Sequence, residues 1–113
     1  MTLQLKRVYV PASDDDGLRI LIDRLWPRGV SKHDAALSDW MKDAAPSPEL
    51  RRWFGHDPAR WEEFRTRYRA ELRDNPCVQK LREMAAGHKV TLVYGARDER
   101  HNHALVLAEA IGG

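Results

Sequence analysis

A single cysteine, Cys77, stands in this chain of 113 residues, which excludes an internal disulfide framework. An excess of one charge is also missing. Nineteen Lys and Arg stand against seventeen Asp and Glu, a formal charge of only +2, well short of the basic surplus that drives generic adhesion to nucleic acid. No apolar run is long enough to cross a membrane, and no signal-type apolar stretch lies near the N-terminus. Low-complexity runs, internal repeats and linkers are absent as well. These absences predict one domain over residues 1–113 in a reducing cytosol, with no membrane partner. A domain of this size buries ~65% of its unfolded-chain surface, and four Trp, three Tyr and two Phe are enough for one core.

What is present in quantity is arginine, fourteen against five lysines. Arginine grips carboxylate or phosphate in a bidentate fork, although a GC-rich genome produces the same bias. Leu5–Val10 alternates Val8 and Val10 with Arg7 and Tyr9, the period of a strand with one wet face. Pro11-Ala12-Ser13-Asp14-Asp15-Asp16-Gly17 is turn chemistry, and its acidic triplet reads most simply as a solvated loop. Leu18–Asp23 follows as a second strand, whose continuous Ile20-Leu21-Ile22 suits a position covered on both faces.

From Asp34 onward the period becomes helical. Leu37, Trp40, Met41 and Ala44 fit one side of a short helix stopped by Pro46. Ser47-Pro48, Asp57-Pro58 and Asn75-Pro76 each set a capping side chain before a proline suited to the first helical turn. Trp61, Phe64, Tyr68 and Leu72 form the inward stripe of the helix after Pro58, with arginines around the other side. Val78, Leu81 and Met84 mark the next helix, for which Gly87 is a natural C-terminal cap. Val90–Tyr94 reads as a third strand, and Ala104, Leu107, Ala108 and Ile111 as the buried face of a last helix. The expected fold is α/β: a small, mainly parallel sheet of about three strands, a helical insert between the second and third, and a C-terminal helix.

Some fifty helical residues between the second and third strands leave room for a right-handed crossover, so these strands are expected to be parallel neighbours. Their C-terminal ends then share one edge, where ligands settle in open parallel sheets. That edge should carry Arg24, Arg28 and Lys32 from one loop and Arg97, Asp98 and Asn102 from the other. A helix N-terminus there adds unpaired N–H groups that favour an oxyanion. Plainer readings stand beside this one. Asp23 can bridge to a nearby arginine, Asp98 can be an N-cap, and Trp26 can be either a core plug or a lid. His101 reads equally as a structural histidine or a proton carrier. His101 and His103 diverge by about 200° on a helix, which argues against a shared metal ion. Cys77 lacks a basic partner and reads as a packed thiol.

Arg7-Val8-Tyr9-Val10-Pro11, the run Asp16 to Lys32 containing Asp23-Arg24-Leu25-Trp26-Pro27-Arg28-Gly29, Leu50 to Asp57, Phe64 to Tyr68 and Thr91 to Asp98 together resemble the signature of the YeaO-like bacterial proteins, domain-of-unknown-function family 488. The resemblance covers nearly the whole chain. Its main departure is Gly95, where a second alanine is also usual. It implies a compact cytosolic α/β domain and no established activity or cofactor.

Three functions stay open on the sequence. One is binding, with or without transformation, of a small phosphorylated or carboxylated molecule, with the arginines as clamps, His101 or His56 as proton carrier and Tyr94 or Tyr68 as hydrogen-bond partners. The second is an RNA- or DNA-binding accessory protein using the arginine-rich back of the Pro58 helix. The third is a protein-interaction module anchored by exposed Trp40, Trp53 or Phe54. A methyltransferase would want a glycine-rich loop after the first strand, where this chain places one glycine and three carboxylates.

Overall fold

A computed structural model describes residues 2–112. Four parallel strands, β1 (Thr2–Arg7), β2 (Leu18–Leu21), β3 (Asp39–Trp40) and β4 (Lys89–Tyr94), form one sheet in the order β1-β4-β2-β3. Five helices accompany them: α1 (Lys32–Ala35), α2 (Pro48–Phe54), α3 (Trp61–Arg73), α4 (Pro76–Gly87) and α5 (His103–Gly112). The α/β architecture and the parallel pairing of β2 with β4 agree with the expectation from the sequence. None of the helices is long and apolar enough to cross a membrane.

The two faces of the sheet are covered differently. Leu3, Leu5, Leu18, Ile20, Val90, Leu92 and Tyr94 point one way, as period-two alternation requires, and meet Phe64, Tyr68, Leu72, Leu81 and Leu107 from α3, α4 and α5. Leu21 and Val93 point the other way, against Val8, Ala35 and the half-buried Trp26, Leu37 and Trp40. Beside this second apolar patch, on the same face, lie Gln4, Lys6, Arg19 and Thr91. They close around Asp16, which is only 2% exposed. The acidic triplet is therefore not wholly solvated. Asp14 and Asp15 are, but Asp16 turns inward because two cations and an amide wait there.

Helix starts follow the capping chemistry. The Ser47 and Asn75 side chains accept from Leu50 N and Cys77 N at the heads of α2 and α4. Asp57 accepts from Ala59 N to begin a 3-10 turn that leads into α3. Several boundaries differ from the sequence pattern. The first strand lies three residues earlier than expected, since Gln4 and Lys6 are half-buried partners of Asp16 while Tyr9 and Val10 are exposed beyond the strand. The segment with Trp40 and Met41 pairs with β2 as a short edge strand and then forms a 3-10 turn, rather than a helix. Gly87 is the last residue of α4, and His88 caps it in extended conformation. Gly17 is required: its φ is +64°, and a Cβ there would lie 2.3 Å from the Lys89 carbonyl oxygen.

Candidate functional site

The chain leaves β1 and β2 toward the face that carries Ala35 and Trp26, but it leaves β4 toward the helical face, where α5 packs. Adjacent parallel strands whose connections part in this way open a crevice at their C-terminal ends. Here it is a cleft of about 370 Å3. Asp23 to Arg28 form one wall, and Gly95 and Ala96 with the α5 start, Asn102 and His103, form another. Ala45, Pro46, Phe54 and Phe64 supply an apolar side, while Arg51, His56 and Tyr9 stand at its border.

Asp23 is held by two hydrogen bonds. Its Oδ2 accepts from Gly95 N–H at 2.9 Å, and its backbone oxygen accepts from the Trp40 indole at 2.6 Å. Its Oδ1 lies 3.2 Å from His103 Nε2 and, although buried, has no hydrogen-bond partner. His103 Nε2 instead donates to the Ile22 carbonyl at 2.9 Å, which assigns the hydrogen to that nitrogen because a carbonyl only accepts. Nδ1 has no protein partner among the described residues. The ring is thus oriented by the β2 exit with one nitrogen left over.

The cations of the cleft fall into two kinds. Arg24 donates to the carbonyls of Ala45 and Pro46 at 3.3–3.4 Å and reaches to 3.9 Å from the Asp43 carboxylate, so it ties the neighbouring loop down while lining the cavity. Arg28 and Arg51 line it too, are exposed, and have no carboxylate partner among the described residues. His56 sits at the mouth with φ +56°, just beyond the left-handed Gly55 that ends α2.

Of the residues proposed from sequence, Arg24, Arg28, His56 and Asn102 come together here, whereas Lys32, Arg97, Asp98, His101, Tyr94 and Tyr68 do not line the cleft. Asn102 is committed locally: its Oδ1 accepts from Leu105 N as the cap of α5, and its Nδ2 donates to the Asp98 carbonyl. Asp98 caps the preceding turn, accepting from Arg100 N and His101 N, and its other oxygen meets His101 Nδ1 at 2.8 Å. Those bonds hold the Asp98 carboxyl below its ordinary range. His101 also packs edge-on to Trp61. Tyr94 is buried in the core, and burial pushes its phenol up. The Tyr68 hydroxyl is fully buried and donates to the Ala44 carbonyl. Lys32 is exposed at the start of α1 and Arg97 on the loop after β4. Trp26 is both plug and wall, donating to the Val30 carbonyl, packing edge-on to Trp40 at 5.3 Å and lining the cleft. Phe54 is buried, so it is no exposed anchor, and Trp40 and Trp53 are half-buried.

Sequence reasoning missed His103, Arg51 and Tyr9 as site residues, and the arginine bridge it allowed for Asp23 as a plainer alternative is not formed among the described residues. His103 carries a local signal in hindsight, standing directly after the α5 cap, but its partner Asp23 is eighty positions away. Among the described residues no group of three or more His, Cys, Asp and Glu is arranged to hold a metal ion.

Residues 2–112 match the family described as the inactive DUF488-N3 subclade. The chain is 47% identical over 110 residues to the uncharacterized protein YeaO of Escherichia coli K12, which covers 96% of each chain. It is 42% identical over 111 residues to an uncharacterized protein of Mycobacterium tuberculosis H37Rv, covering 98% of this chain and 94% of that one. No solved structure matches.

Proposed function

This chain belongs to the YeaO-like DUF488 family, within the subclade described as inactive, and from that premise we propose that it binds a small phosphorylated or carboxylated molecule in the β2–β4 cleft without transforming it. The observation that carries the reading is the pair Arg28 and Arg51, two guanidinium groups bordering one cavity with no carboxylate to neutralise them among the described residues. Cations left unpaired at a cleft raise the local concentration of anions and offer charge-assisted hydrogen bonds. Arg24 and His103, each already held by backbone carbonyls, add a rigid frame beneath them. The family's description as inactive agrees with a site that recognises rather than reacts.

The arginine-rich back of α3 lends the nucleic-acid reading no support, since Arg65, Arg67 and Arg69 are matched to Glu62, Glu63 and Glu109.

Isothermal titration with inorganic phosphate and a panel of small phosphorylated and carboxylated compounds tests the proposal. At least one compound should bind. Arg28→Ala with Arg51→Ala should then weaken it by at least tenfold, as expected for loss of bonds that contribute ~1.5–3 kcal/mol each. Silence across the panel, or affinities untouched in the double variant, would overturn it.

A further inference from the structure

Resting on that anion-binding reading, we infer that the ligand carries a planar aromatic ring beside its anionic group, and that Tyr9 is the surface on which the ring stacks. The large apolar side chains left exposed among the described residues are Tyr9 at 48%, Val10 at 43% and Leu25 at 58%. Tyr9 and Leu25 both line the cleft, and Val10 adjoins Tyr9 in the chain. The exposed apolar surface therefore gathers at the mouth of the cavity that also holds the unpaired arginines. Such a concentration marks a binding surface rather than chance exposure.

The Tyr9 ring is also held in place. Its hydroxyl donates to the Arg28 carbonyl at 2.9 Å, and the Arg7 guanidinium lies 5.0 Å from the ring centroid. Arg7 is itself anchored, its Nε donating to the Ala96 carbonyl at 2.8 Å. A side chain already ordered loses little entropy when a guest stacks on it. The hydroxyl bond also joins the ring to the loop that carries Arg28, so a flat group and its anionic tail meet Tyr9 and Arg28 together. Deeper in, Phe54 and Phe64, with centroids 4.2 Å apart, form an apolar floor.

Size and composition point the same way. The cavity's 370 Å3 falls in the roughly 300–1,000 Å3 range of small-molecule sites, well beyond the needs of a lone phosphate. A sugar phosphate would set hydroxyls against Leu25, Phe54 and Phe64. An aryl or heteroaryl phosphate, of which a nucleoside monophosphate is one form, matches both the apolar and the cationic halves.

The test is isothermal titration of the full chain with inorganic phosphate, ribose 5-phosphate, phenyl phosphate and adenosine monophosphate, variants first being checked for native circular dichroism. At least one ring-bearing compound should bind about tenfold or more tightly than ribose 5-phosphate, equivalent to about 1.4 kcal/mol. Tyr9→Ala and Leu25→Ala should abolish that preference, weakening the ring-bearing compound about tenfold more than ribose 5-phosphate, and Tyr9→Phe, which keeps the ring, should retain most of it. Ribose 5-phosphate binding as well as the ring compounds would overturn the ring while leaving the anion site standing. A ring preference that survives Tyr9→Ala would overturn Tyr9 as the platform. No binding by any of the four would overturn this inference, and silence of the carboxylated compounds as well would remove the anion site with it.

Discussion

Asp16 and Asp23 stand at opposite ends of β2, and the protein treats their carboxylates in opposite ways. Asp16 is saturated. Lys6 Nζ, Arg19 Nη1, Gln4 Nε2 and the Ser13 N–H all donate to it at 2.7–3.1 Å, and the Asp16 carbonyl accepts from Thr91 Oγ1. Asp23 accepts from one backbone N–H and leaves its second oxygen facing His103 without a hydrogen bond. At the N-terminal edge of the sheet the polar groups are closed into a joint that locks the β1–β2 connection. At the C-terminal edge they are left short of partners beside a cavity. The Asp16 carboxylate is thus fully hydrogen-bonded and that of Asp23 is not, so the two ends of β2 are held with different firmness.

The largest test of this contrast is to neutralise each carboxylate in turn. Asp16→Asn strands Arg19, only 3% exposed and already lacking a partner for Nη2, next to Lys6 with no counter-charge. Removing one member of a buried ion pair typically costs ~3–5 kcal/mol, and urea unfolding should report a loss in that range. Asp23→Asn keeps an oxygen for the Gly95 N–H and should cost only about 1 kcal/mol. Equal losses, or a larger one at Asp23, would break the comparison.

Acid should sharpen it. Burial by itself would raise the Asp16 pKa, but the Ser13 N–H and the bonds and charges of Lys6 and Arg19 outweigh that and bring it from the ordinary 3.8 down to about 2. Because the folded value lies below the unfolded one, the unfolded chain takes up the proton first. The stabilisation is complete above about 3.8 and is lost as the pH falls toward 2. Unfolding free energy of the parent should drop through that window, while Asp16→Asn should lack that component. Identical acid profiles would mean that Asp16 is not the group being titrated.

The contrast also explains what could be read from the amino-acid pattern. Ser47-Pro48 and Asn75-Pro76 announced their helices because a cap and its N–H target lie within three residues. The Phe64, Tyr68 and Leu72 stripe announced its burial through helical period alone. Gln4 and Lys6 defeated the same method. Gln4 lies outside the strand that the pattern marks and Lys6 is a charge in line with its apolar positions, and only the return of the chain at Asp16 gives them an inward partner. The candidate site divides similarly. Arg24 and Arg28 were visible at a strand exit, whereas Asp23 and His103 meet through tertiary packing that no local spacing encodes.

Two glycines, each beside one of the two carboxylates, give the finest probe. A Cβ on Gly17 would lie 2.3 Å from the Lys89 carbonyl oxygen at φ +64°, and neither backbone can yield without disturbing the β4 start. Gly17→Ala should therefore cost about 1–3 kcal/mol through strain and overlap. A Cβ on Gly95 would meet Asp23 Oδ2 at 2.9 Å, the end of a side chain with open space beside it, and then Pro27 at 3.8 Å. Gly95→Ala should cost under about 1 kcal/mol, because the carboxylate can swing toward the cleft at the expense of one hydrogen bond. Its effect should appear instead as a chemical-shift change at the Gly95-equivalent amide and the His103 ring, read by NMR. An unchanged His103 ring in Gly95→Ala would mean that Asp23 and His103 do not sense each other, and the C-terminal edge would then be as rigid as the N-terminal one.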